Sequence, residues 1–87
     1  MKARRQHGMD TASFVTMVGR VIRAAGQRVG EGDVEDLPKL LELHELVDVA
    51  TLAAVGELRR RGWTWRSIGE ATGTSHVAAI QKWGRTK

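Results

Sequence analysis

Apolar residues recur along this chain at three-and-four spacing, and no stretch alternates with the period of two that a half-buried strand shows. The expected fold is all-α, without a sheet. Phe14, Val18, Val21, Ile22 and Ala25 mark one face of a first helix, with Arg20, Arg23 and Arg28 on the other side and Asp10 or Thr11 ahead of it as a cap. Gly26 and Gly30 are expected to weaken its end. The acidic, glycine-punctuated stretch from Gly30 to Asp36 reads as a linker, and Pro38 behind it suits the first turn of a helix. That second helix is predicted from about Pro38 to Arg61, with Gly62 just beyond its end and Arg59, Arg60 and Arg61 beside its negative C-terminal dipole. Two shorter segments follow. Thr64 caps one over Trp65 to Thr72, Gly73 makes a turn, and Thr74 or Ser75 caps the other, which ends at Trp83. The pattern therefore predicts about four helices, a long central one leading into a C-terminal helix-turn-helix.

The central helix has more apolar surface than one neighbour needs. Leu40, Leu41, Val47, Ala54, Val55 and Leu58 form one stripe, and Leu43, Leu46, Ala50 and Ala53 form another, while Lys39, Glu42, Glu45 and Asp48 keep an exposed side. At 1.5 Å per residue such a helix is about 36 Å long. One stripe is expected to pack internally and the second to meet another copy in a homodimer, with Leu43, Leu46, Ala50 and Ala53 at the interface; a compact monomer is the alternative. The expected organisation is a basic arm over 1–9, an antiparallel helical pair over 10–61 as the dimerisation region, and the helix-turn-helix over 62–87.

Charge sharpens this picture. The net +4 resolves into +5 over residues 1–30, −6 over 31–55 and +5 over 56–87. The C-terminal block favours a polyanionic partner, and the acidic middle would be repelled from one. Arg59, Arg60, Arg61, Arg66, Lys82, Arg85 and Lys87 flank the C-terminal module as a phosphate-positioning frame would, although a basic last turn also serves a helix dipole. With 87 residues and no cysteine, the chain has no disulfide or thiolate metal site and makes one small domain. No run is apolar enough to span a membrane, and no secretory pattern opens the chain, so a reducing cytoplasm with nucleoid association is the expectation.

The segment from Gly62 to Gly84 carries the candidate chemistry. A helix-turn-helix crosses two helices so closely that the first needs a small residue at the crossing and the turn needs one that tolerates positive φ, which Gly69 and Gly73 supply. Trp65, Ile68, Ala79 and Trp83 are the candidate anchors, and Trp63 and Trp65 are expected to pack under the module rather than stack on bases. Thr74 and Ser75 place hydroxyls and backbone N–H groups at a helix N-terminus, a position suited to phosphate.

These residues resemble a family. The run LRRRGWTWRSIGEATGTSHVAAIQKWG is similar to the small helix-turn-helix DNA-binding modules of actinobacteria and their phages, over about residues 58–84. The paired tryptophans, the small residue and the turn glycine all align. The resemblance implies double-stranded DNA as partner and the tract after the turn as recognition helix, with His76, Val77, Ile80 and Gln81 facing bases. It places Arg61, Thr64, Arg66, Thr74, Ser75, Lys82 and Arg85 at phosphate-contacting positions. His76 and Val77 stand where the family usually has Arg and often Gln, and Thr72 and Thr74 replace an apolar pair around the turn. Val77 and Ile80 can meet only thymine methyls in a groove. A protein-docking surface and a rotated helix that buries Val77, Ile80 and Trp83 are the alternatives.

The implied function is sequence-specific DNA binding as a small transcription regulator or phage DNA-binding protein. The alternative is a protein-interaction module, a phage-encoded modulator of a host protein or an antitoxin-like partner binder. Nothing points to an enzyme, a cofactor or a metal: His7, His44 and His76 lack ligand spacing, and Glu42, Glu45 and Asp48 read as a solvated face. His44, beside an apolar stripe, is expected to be partly buried.

Overall fold

The computed structural model describes residues 10–84, which form four α-helices and one 3-10 turn, with no strand among them. The basic arm over 1–9, together with Arg85 and Lys87, lies outside the described residues. Helix α1 spans Thr11–Glu31, α2 Leu37–Arg60, α3 Trp65–Thr72 and α4 His76–Trp83, and the 3-10 turn is Val34–Asp36. The chain divides into two compact units at Glu42 and Leu43, a point inside α2.

In the N-terminal unit Asp10 caps α1, its carboxylate accepting from the Ser13 amide at 2.8 Å. That bond, reinforced by the Ser13 hydroxyl, holds the Asp10 carboxyl below its ordinary pKa, because the accepted hydrogen bonds favour the charged form. The helix does not weaken at Gly26 or Gly30 as expected. It continues to Glu31, since two interior glycines cost only about 1 kcal/mol each in propensity and neither interrupts the backbone ladder. The linker accordingly shrinks to Gly32 and Asp33, and the 3-10 turn that follows contacts α1. Of the expected stripe, Ile22 and Ala25 are half-buried while Phe14, Val18 and Val21 are exposed.

Helix α2 begins one residue before Pro38. Its C-terminus follows from Gly62, whose φ of 101° is open to glycine and strained for other residues. The Trp63 amide donates to the Leu58 carbonyl at 3.0 Å and the Gly62 amide to that of Arg59 at 3.0 Å, the bond pair of a Schellman cap. Helix α3 ends the same way. Gly73, at φ 76°, donates to Glu70, and Thr74 donates to Gly69 at 2.8 Å. Replacing Gly73 with alanine forces a Cβ into a left-handed backbone, so we expect a loss of about 1–2 kcal/mol, readable as a lower urea midpoint at unchanged m-value.

The core of the C-terminal unit is small. It takes one buried side chain from each of three helices, Val55 from α2, Ile68 from α3 and Ala79 from α4, with Trp65 and Trp83 packed against them. Helices α3 and α4 have eight residues each, too few to persist alone in water, so this packing is what holds them. Within the first expected stripe of α2 only Val55 becomes buried. Leu40 is half-buried, whereas Leu41, Val47, Ala54 and Leu58 are exposed. Among the described residues no helix is long and apolar enough to cross a membrane.

Candidate nucleic-acid interface

The α3–turn–α4 segment is set by a close backbone approach at Gly69. A Cβ at that position would lie 2.7 Å from the Thr74 carbonyl oxygen and 3.0 Å from the Ser75 carbonyl carbon, so the crossing tolerates only glycine there. Hydroxyls then fix both helix starts. Thr64 Oγ1 accepts from the Ser67 amide and donates to Ser67 Oγ, and Ser75 Oγ accepts from the Ala78 amide. The hydroxyls of the two threonines at the turn bond to nearby backbone as well. Thr72 Oγ1 donates to the Ile68 carbonyl at 2.9 Å, and half-buried Thr74 donates to the Ser75 carbonyl at 3.2 Å. Their polar groups thus satisfy local carbonyls where an apolar pair was absent. Thr74, with its hydroxyl and amide both engaged, shapes the turn rather than offering itself outward.

This arrangement decides which side of α4 faces solvent. Ala79 is fully buried and Trp83 is half-buried, while His76, Val77, Ile80 and Gln81 are all exposed. At 100° per residue those four cover a continuous arc of about 140°. Val77 is 52% and Ile80 41% exposed. The rotated helix that would bury Val77 and Ile80 is therefore not the one formed: α4 turns Ala79 into the cluster with Val55 and Ile68. The eight-residue α4 also leaves the first-turn amides of His76 and Val77 without intrahelical acceptors, next to the exposed Ser75.

The basic residues divide into two groups. Arg59 donates from Nη1 to the Trp63 carbonyl at 2.8 Å, and its guanidinium lies 5.1 Å from the Trp65 ring centroid. Arg60 donates to Glu57 Oε1 from Nε and Nη2, and this bond holds the Glu57 carboxyl below the usual carboxylate range. These two arginines therefore fasten the end of α2. Arg61 and Arg66 are exposed and make no ion pair among the described residues, and Lys82 lies 5.2 Å from the Trp83 ring centroid. The frame of cations seen in the sequence reduces here to Arg61, Arg66 and Lys82.

Two expected positions are corrected. Trp63 does not pack under the module with Trp65: it is 54% exposed, because it occupies the residue after Gly62 in the Schellman cap, where its backbone is held and its indole is left at the surface. His44 is not partly buried. Its side chain is 84% exposed and lies 3.8 Å from Asp48, one turn along a part of α2 that the core does not cover. Glu42, Glu45 and Asp48 are exposed, as are Leu46, Ala50 and Ala53, whereas Leu43 is half-buried. The packing role of Arg59 was missed. Its signal was an arginine ahead of a Gly-Trp-Thr-Trp run, which bends the chain back across the helix end.

Compared with protein-family models, with curated proteins and with solved structures, the chain matches none.

Proposed function

We propose that the C-terminal unit is a helix-turn-helix that binds double-stranded DNA, acting as a binding protein and not as an enzyme, with α4 inserted into the major groove. The observation that carries this reading is the exposed arc of His76, Val77, Ile80 and Gln81, presented outward by a turn that Gly69 and Gly73 fix. An α-helix matches the width of the major groove, Gln81 can pair bidentately with adenine, and Val77 and Ile80 suit thymine methyls. The reading favours an A·T-containing site. Arg61, Arg66 and Lys82 supply cations for phosphates, and the amides at the start of α4 with the Ser75 hydroxyl supply neutral donors. Arg85 joins them only as a residue outside the described range. A small regulator or phage DNA-binding protein fits this chemistry.

One observation favours a second reading. Two large apolar side chains on an otherwise polar face, Val77 and Ile80, are also what a protein-docking helix presents. Fluorescence anisotropy with duplexes selected from a random pool separates the two. For DNA readout, Gln81→Ala relaxes sequence preference at a single position by about 1–3 kcal/mol, and Arg66→Ala weakens binding to all duplexes about equally. For protein docking, Val77→Lys and Ile80→Lys abolish capture of the partner while Arg66→Ala has little effect. A chain that binds no duplex at low salt excludes the first reading.

A further inference from the structure

On the side of α2 turned away from its buried residue, Lys39, Leu43, Leu46, Ala50, Ala53 and Glu57 follow one another at alternating spacings of four and three. This is the seam spacing of a two-helix pair. Leu46 stands about 180° around the helix from buried Val55, so the seam and the packing of α3 and α4 use opposite sides of the same helix. Leu46 is 61% exposed, and Ala50 and Ala53 are exposed with it.

We propose that this seam pairs with the same seam of a second copy, antiparallel, about a two-fold axis beside Asp48. The sequence is self-complementary in that register alone. Leu46 of one copy meets Ala50 of the other, and Leu43 meets Ala53, so a large side chain faces a small one at each level and the helices can approach closely. Lys39 then faces Glu57, whose carboxylate also accepts from Arg60. A parallel pair would set leucine on leucine and alanine on alanine, leaving gaps, with Lys39 on Lys39 and Glu57 on Glu57. The charge blocks agree, because antiparallel helices lay the acidic first part of one α2 beside the basic end of the other, and their dipoles oppose. The inference concerns association between chains and does not rest on the DNA reading.

Sedimentation equilibrium of the full chain, in the absence of nucleic acid, tests it. The expected mass is that of two chains. Ala50→Glu reduces it to one chain with helical circular dichroism retained, since Ala50 is exposed in the single chain. Leu46→Ala and Ala50→Leu each weaken association about tenfold, and the double variant, which again sets a large side chain on a small one, restores it. The size swap keeps the test decisive should Ala50→Glu lose helicity. A one-chain mass at every concentration overturns the proposal. A two-chain mass indifferent to Ala50→Glu places the contact elsewhere, and a double variant no better than either single one rejects the register.

Discussion

Gly69→Ala is expected to lower the melting temperature of the C-terminal unit by about 10–20 °C, while Gly56→Ala raises it by a few degrees. Both glycines lie inside helices, where alanine gains about 1 kcal/mol in propensity. They differ in what a Cβ would meet. At Gly56 nothing lies within 4 Å, so the propensity gain stands. At Gly69 the Cβ would press on the carbonyl of Thr74 and on the backbone of Ser75 at 2.7–3.1 Å. These are backbone atoms of the turn, fixed by the Thr74–Gly69 hydrogen bond, and they cannot swing aside as a flexible side chain would. Relief requires α3 and α4 to separate, which uncovers Ile68 and Ala79. Overpacking of this kind costs about 1–3 kcal/mol, and lost burial of a three-residue core adds to it. A net loss of about 2–3 kcal/mol gives the stated shift at about 4–8 °C per kcal/mol for a domain of this size. Calorimetry of the two variants beside the parent chain checks both signs. Equal effects from the two substitutions would mean that the turn does not pack as described.

The second large effect concerns partner binding. Arg61→Glu combined with Arg66→Glu is expected to weaken binding to every duplex by about 100-fold at low salt, leaving helical content and melting temperature nearly unchanged. Both side chains are exposed and make no ion pair among the described residues, so reversing them costs the fold little beyond the attraction of Arg61 to the helix end and to Glu57. On the proposed DNA reading, each reversal removes a phosphate contact and adds a like charge. At about 1.4 kcal/mol per factor of ten, the pair need supply only about 3 kcal/mol of lost attraction. Arg60→Glu is the contrast. Arg60 is bonded to Glu57, so its reversal sets two carboxylates one turn apart at the end of α2 and disturbs the helix terminus as well. Anisotropy titrations read the affinity, and thermal melts read the fold.

The residues legible in the sequence were those whose roles are settled within a few positions. Asp10, Thr64 and Ser75 cap helices because a short oxygen-bearing side chain ahead of an apolar run can reach an amide three residues on, and no distant packing is involved. Gly62 and Gly73 end helices for an equally local reason. Gly69 was legible because a tight helix crossing makes one steric demand. The central helix was not legible in the same way. Leucine, valine or alanine occurs on nearly every bearing of α2, so periodicity could not single out Val55 as the residue that the module covers. Trp63 and His44 were misplaced because exposure depends on which stretch of that helix α3 and α4 cover. The bond of the Thr74 hydroxyl to backbone was hidden because that hydroxyl chooses between a nearby carbonyl and an outside ligand, a competition that spacing does not record.

The central claim is that α4 and its flanking cations bind duplex DNA. A salt series of anisotropy titrations, with the full chain and a duplex enriched from a random pool, tests it most directly. The account predicts saturable binding at low salt, with log K falling linearly in log salt at a slope of about −3 to −4 per chain, at about 0.9 per neutralised phosphate for Arg61, Arg66, Lys82 and Arg85. Absence of binding to any duplex at low salt, or an affinity that does not respond to salt, would contradict it.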